Sequence, residues 1–169
     1  GSTTLKDRKI VSFDLDSELL LAKVLQTNRQ DLLRNLSQKI NKKHFLKYSS
    51  LIYRRLRHEP VAYILNRKEF WSKFFHVTKD TLIPRPETEL MVDQLIKIYK
   101  NKKNISILDM GTGSGCIIIS LLSELPKSCG VGIDISHRAL KIAKKNAKDH
   151  GIDLKIKFLN VAFCKYFNK

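Results

Sequence analysis

The sequence predicts an α/β protein built from a helical bundle, a β-hairpin and an open parallel sheet, on three observations. From Asp14 to His58, apolar residues recur at helical rather than alternating spacing. Beyond Pro60 the composition shifts to β-branched and aromatic residues bounded by polar turns. From Ile105 onward, strand-like and helix-like segments alternate, as parallel strands joined by crossover helices do.

Gly1 and Ser2 are read as the remnant of a cleaved tag and set outside the fold. Asp16 is expected to cap a first helix over residues 17–26, in which Leu20 and Val24, and Leu21 and Leu25, lie one turn apart. A short helix is expected around 31–36, then a longer one with Phe45, Tyr48, Ile52 and Leu56 as one stripe. Such a bundle buries little on its own and must pack on something. Residues 61–65 and 70–77 read as strands, with Asn66, Arg67 and Lys68 as the polar turn between them. Pro84 and Pro86 keep Arg85 extended, because a proline disfavours helix in the residue before it. Arg85 is expected to pair with Glu87 or Glu89 and fix this junction, the alternative being a contact with substrate or cofactor. Glu87 and Glu89 suit the positive end of a helix running to about Lys100. The domains drawn from this reading are 3–66 (helical), 67–84 (hairpin linker) and 85–169 (sheet).

In the sheet domain, residues 106–110 read as a buried strand, 116–124 as helix, 131–134 as strand, 138–150 as helix and 156–159 as strand. Three parallel strands are too few for a sheet covered on both faces. The expectation is therefore a piece of a longer protein.

Thirty-two Lys and Arg against 16 Asp and Glu give a net charge of +16 over 169 residues. Such an excess suits a polyanionic partner, RNA or the ribosome, or an acidic protein surface. It is mostly lysine, as in Lys42-Lys43, Lys102-Lys103 and Lys144-Lys145, and biased base composition would also produce it; both readings stay open. Cys116, Cys129 and Cys164 are odd in number and lack zinc spacing, which points to a reducing compartment. His44, His58, His76, His137 and His150 do not fall at metal-ligand spacing, and no metal is expected. No apolar run approaches the roughly 18 residues of a membrane span, and no signal peptide precedes Asp14. A soluble, cytoplasmic protein is expected.

The chemistry-bearing segment is Asp109-Met110-Gly111-Thr112-Gly113-Ser114-Gly115, where a strand gives way to a helix. Glycines there permit left-handed backbone and close approach of a ligand to the main chain. The helix amides point into the crevice at the carboxyl ends of the strands. Asp134 ends the next strand about twenty residues on, where a carboxylate accepts from both ribose hydroxyls of a nucleoside; alternatively it caps the helix starting near Ser136. Dinucleotide enzymes carry G-x-G-x-x-G, whereas here the glycines run G-x-G-x-G and Cys116 stands at the third fingerprint position.

The run E/D-x-G-x-G-x-G from Asp109 resembles the first motif of class I methyltransferases, which implies S-adenosylmethionine as the cofactor. Beyond it, the chain resembles the HemK or PrmC type glutamine methyltransferases in several segments. These are Asp16 to Leu21, Arg54 to Leu65, Glu69-Phe70-Trp71, and above all Leu82-Ile83-Pro84-Arg85-Pro86-Glu87-Thr88-Glu89. The resemblance implies an incomplete class I Rossmann-like methyltransferase domain behind a helical substrate-recognition domain. It implies methylation of the glutamine amide in the Gly-Gly-Gln motif of class I peptide release factors. Gly111, Thr112, Gly113, Ser114, Gly115 and Asp134 would bind the cofactor, with Phe163 stacking on adenine. The family's catalytic N-P-P-Y run does not occur in the sequence, so no catalytic residue is assigned. Ala162 stands where the family usually has an acid, and His58 and Asn66 stand where it usually has glycines. A nucleic-acid methyltransferase and a non-catalytic binding remnant are the alternative readings.

Overall fold

The computed structural model describes residues 1–35, 37 and 39–166, without the side chains of Phe163 and Cys164. It divides into two compact units, Gly1–Leu65 and Asn66–Lys169.

The first unit runs α1 (Ser2–Asp7), α2 (Phe13–Leu25), α3 (Arg29–Arg34), α4 (Lys42–Leu56) and α5 (Val61–Leu65). Ser2, set aside in the sequence reading, opens α1, and Leu5 from that helix is fully buried with Ile10, Leu20, Ile52 and Ile64. Asp16 is not a cap. Ser12 is the N-cap residue of α2, and Asp16 lies inside that helix at 2% exposure, accepting from Arg55 Nε at 2.7 Å and Ser12 Oγ at 2.8 Å. In sequence, an aspartate before an apolar run looks the same whether it caps the helix or is paired one turn inside it. The caps of the next two helices are asparagines: Asn28 accepts from the Asp31 amide and Asn41 from the His44 amide, both at 2.8 Å. Of the expected α4 stripe, Ile52 is buried and Tyr48 and Leu56 pack beside it, whereas Phe45 is 54% exposed.

Helix α4 ends in a Schellman turn. The Glu59 amide donates to the Arg54 carbonyl and the His58 amide to the Arg55 carbonyl, with His58 left-handed at φ 61°. The next segment corrects the sequence reading: residues 61–65 form helix α5, not a strand. Pro60 suits a first helical turn, its carbonyl accepts from the Tyr63 and Ile64 amides, and Ala62 and Ile64 are buried. Packing of that face overrides the β-branched composition.

The hairpin belongs to the second unit, and its turn is displaced from the expected one. Strands β1 (Arg67–Phe70) and β2 (Lys73–His76) pair antiparallel, so Arg67 and Lys68 lie in a strand and Trp71-Ser72 make the turn. Both turn residues have positive φ, 52° and 53°, the backbone of a two-residue hairpin turn usually filled by Asn-Gly. Tertiary contacts hold it there. The Trp71 amide donates to Glu89 Oε1 at 3.1 Å, its indole nitrogen to Glu124 at 3.3 Å, and its ring packs on the core beside Phe70 and Phe75.

Helix α6 (Glu87–Tyr99) leads into a parallel sheet of order β3 (Ser106–Met110), β4 (Cys129–Asp134), β5 (Ile156–Asn160) among the described residues. Helix α7 (Cys116–Glu124) joins β3 to β4. Helix α8 (His137–Asp149) and a 3-10 turn (Asp153–Lys155) join β4 to β5, and α9 (Phe163–Tyr166) follows. Ile107 and Phe158 on one sheet face pack on the α7 core residues Ile118, Ile119 and Leu122. Strand β3 alternates rather than being uniformly buried: Leu108 and Met110 are 36% and 49% exposed on the other face.

Candidate functional site

At the carboxyl ends of the strands, residues 111–115 form a loop shaped by its neighbours. The amides of Gly111 and Thr112 both donate to the Ile133 carbonyl at 2.9 Å, pinning the loop to β4. The Gly113 amide donates to Asp134 Oδ2 at 2.9 Å, and the Ser136 amide to Asp134 Oδ1 at 2.8 Å. Asp134 therefore holds the loop and precedes the N-cap of α8; the cap itself is Ser136, which accepts from the Ala139 amide. Two of roughly four lone-pair positions on the Asp134 carboxylate are used in this way.

Beneath the loop, Asp109 Oδ2 accepts from Thr112 Oγ1 at 2.7 Å, and the carboxylate also takes the Ile118 amide in the first turn of α7. Burial raises the Asp109 pKa above the ordinary aspartate value and the nearby Asp134 carboxylate adds to the rise, against the downward pull of the Thr112 and Ile118 bonds. The Cys116 thiol is pushed up to about 11, chiefly by burial, so it stays a thiol at neutral pH.

The three loop glycines differ in what a side chain would meet. All have positive φ, at 74°, 56° and 80°. A Cβ on Gly111 would meet nothing within 4 Å, and one on Gly113 only the Gly111 carbonyl at 3.8 Å. A Cβ on Gly115 would lie 2.9 Å from Ile119 Cδ1 and 3.3 Å from Ala143 Cβ, so this glycine lets α7 and α8 approach. The space over Gly111 and Gly113 is thus open main chain at a helix N-terminus, which fits a ligand that lies close on the backbone.

The side chains of Thr112 and Ser114 are buried at 5% and 2% exposure, so they support the loop from within. Two supporting residues escaped the sequence reading. A Cβ on Gly132 would lie 2.8 Å from the Phe158 ring and 3.1 Å from Thr112 Oγ1, which makes room for both. Asn160, at the end of β5, donates to the carbonyls of Asp134 and Ile135 at 3.0 and 2.9 Å and fixes the β4 end.

Comparison with known proteins adds a second line of support. The model for the PrmC N-terminal domain matches residues 1–65, and that for a methyltransferase domain matches residues 101–166. The release factor glutamine methyltransferase of Coxiella burnetii is 44% identical over 138 residues, 82% of this chain and 50% of that protein. Its namesake from Buchnera aphidicola subsp. Schizaphis graminum is 40% identical over 154 residues, 90% of this chain and 54% of that protein. A bifunctional methyltransferase of Rickettsia typhi is 34% identical over 174 residues, 92% of this chain and 34% of that protein. The chain is thus similar to PrmC-type methyltransferases along most of its own length. It spans about half the length of the curated release factor methyltransferases it matches, 50% and 54% of the two named.

The family's signature segments take on physical roles here. Glu89 of the Pro84–Glu89 run accepts from the hairpin turn at Trp71, which links that run to the Glu69-Phe70-Trp71 segment. The expected pairing of Arg85 with Glu87 or Glu89 does not form: Arg85 is exposed and makes no ion pair among the described residues. The side chain of Phe163, expected against adenine, lies outside the described residues. His58 and Asn66, at the two positions usual for glycine, both have positive φ, at 61° and 56°.

Of the lysines, Lys100, Lys102, Lys103 and Lys127 line a cavity of about 210 Å³ at the amino ends of the strands, the end away from the glycine loop. Among the described residues no group of three or more His, Cys, Asp or Glu could hold a metal ion, and no helix is long and apolar enough to cross a membrane.

Proposed function

We propose that this chain supplies the helical domain and the cofactor-binding half of an S-adenosylmethionine-dependent methyltransferase. Its substrate is the glutamine side-chain amide in the Gly-Gly-Gln motif of class I peptide release factors. The observation that carries the cofactor half is the open main chain over Gly111 and Gly113, flanked by the Asp134 carboxylate. The substrate half rests on the relatives named release factor glutamine methyltransferase.

When bound, S-adenosylmethionine supplies a methyl group activated on a sulfonium. The protein's part is binding and orientation. Asp134 keeps lone pairs for ribose hydroxyls while its other two hold the Gly113 and Ser136 amides. The N-terminus of α7 favours the carboxylate end of an amino acid through its amides and dipole. Asp109 takes the Ile118 amide and the Thr112 hydroxyl, and so holds the loop in the shape the ligand needs. No residue of this site is given a role on the substrate amide. Residues 1–65 are the release factor docking domain in this reading.

Two measurements test it. Calorimetry of this chain with S-adenosylhomocysteine is expected to show one-to-one binding, abolished by Asp134→Ala; absence of binding removes the cofactor half. The full-length gene product, incubated with release factor and methyl-labelled cofactor, is expected to label the Gly-Gly-Gln glutamine. Label in tRNA or rRNA and none in release factor overturns the substrate reading.

A further inference from the structure

Asn146, at 0% exposure in α8, is a fully buried polar side chain bonded to both the hairpin and the glycine loop. Both of its amide hydrogens and one Oδ1 lone pair are used. Nδ2 donates to the Ser114 carbonyl at 2.8 Å and to the His76 carbonyl at 3.0 Å, while Oδ1 accepts from the His76 amide at 2.8 Å. The side chain thus pairs with both backbone groups of the last residue of β2, as a neighbouring strand would, and spends its remaining hydrogen on the loop. An amide is the side chain that does this: a carboxylate would face two carbonyl oxygens, and an apolar isostere would leave three backbone groups without this partner. The neighbouring contact of Gly115 with Ala143, one turn earlier on α8, closes the same helix onto the loop.

We propose that Asn146 is a positioning residue that couples the β1–β2 hairpin to the cofactor loop, so that ligand binding at the loop tightens the hairpin and a displaced hairpin weakens the ligand. The inference rests on the reading of residues 111–115 as the cofactor site. Coupling of this kind is reciprocal: whatever the hairpin does to ligand affinity, the ligand does to the hairpin. The bonds to Ser114 and His76 share one rigid amide group, so a shift at either end breaks geometry at the other.

The test uses amide hydrogen exchange and S-adenosylhomocysteine titration on the chain. In the unsubstituted protein, ligand is expected to slow exchange of the His76 amide severalfold, although that amide donates to Asn146. Asn146→Leu and Asn146→Asp are both expected to weaken the ligand at least tenfold. Val92→Ala, which opens the same core without a hydrogen bond to the loop, is expected to change affinity less than twofold at matched loss of thermal stability. An equal affinity loss in V92A and the Asn146 variants, or a His76 amide indifferent to ligand, overturns the coupling. If Asn146→Leu does not fold, the aspartate variant and the His76 measurement decide alone. If the unsubstituted chain binds no ligand, the cofactor reading has failed instead. The inference is then read from ligand-free exchange at Gly115 and His76, which must rise together in the Asn146→Asp variant, and exchange that rises at one and not the other refutes it.

Discussion

Substituting Gly113 and Gly115 by alanine, one at a time, separates loop architecture from ligand contact. Both positions have positive φ, and a non-glycine residue there costs about 1–2 kcal/mol. The freer unfolded backbone of glycine returns roughly 0.5–1 kcal/mol of that. Gly113→Ala adds no clash, since its Cβ would meet only the Gly111 carbonyl at 3.8 Å. Its net destabilisation is therefore about 1 kcal/mol. Gly115→Ala also drives a methyl to 2.9 Å from Ile119 and 3.3 Å from Ala143. The Ile119 end can rotate away, but Ala143 is a helix residue with nothing to rotate, so an overpacking cost of about 1–3 kcal/mol is added. The expected total for Gly115→Ala is about 2–4 kcal/mol. Ligand affinity should show the reverse order. The Gly113 methyl stands in the open approach to the backbone and is expected to cost at least about tenfold, or roughly 1.4 kcal/mol. Urea unfolding without ligand and calorimetry with S-adenosylhomocysteine, on the same samples, measure the two orders. If Gly113→Ala destabilises as much as Gly115→Ala and leaves affinity untouched, the assignment of the open space to a ligand is wrong.

Asp16→Ala leaves Arg55 without its carboxylate at a buried site, and removing one partner of a buried pair costs about 3–5 kcal/mol. Arg55 keeps 16% side-chain exposure, so the lower end, about 3 kcal/mol, is expected in urea unfolding of the helical unit, and a loss under 1 kcal/mol would contradict the pairing. His58→Gly relieves left-handed strain at the end of α4 and is expected to raise stability by about 0.5–1 kcal/mol, read as a higher melting temperature. Asp109→Asn removes a carboxyl whose pKa is raised in the fold. A raised carboxyl contributes stability that is present below the unfolded aspartate pKa and lost as pH rises through the folded value. The asparagine variant should therefore gain on the parent chain in urea midpoints as pH rises above the ordinary aspartate pKa of about 4, and a difference that stays constant with pH would refute the buried ionisation.

The parallel-sheet half was legible in the sequence to within two residues at its strand and helix ends, because period and glycine placement agree there. The hairpin region was not. Residues 61–65 have strand composition and fold as α5, since Ala62 and Ile64 gain burial as a helix. Trp71-Ser72 turn where no turn chemistry is written, because Glu89 and Glu124 hold that tip from distant parts of the chain. Asp16 shows the same limit from the other side. Its neighbours make it look like a cap, and only Arg55, 39 residues on, reveals it as a buried partner.

Within the site, sequence pattern finds the groups proposed to face the ligand and misses most of those that shape the loop. Gly111, Gly113 and Asp134 follow one another at strand ends, so their spacing is fixed by the fold and repeats as a motif. The clamps on the loop come from three directions: Asp109 from below, the Ile133 carbonyl from β4, and Asn146 from α8. Asp109 acts on the Thr112 hydroxyl, but the other two clamps act on backbone, and backbone groups carry no residue signature. Asn146 had no pattern to mark it: an asparagine among alanines and lysines on a helix reads as surface. Its 0% exposure appears only once β2 is placed against α8. A glycine loop of the right spacing therefore specifies where a cofactor can lie, while its shape, and so its affinity, is set by residues whose importance only the packed structure shows.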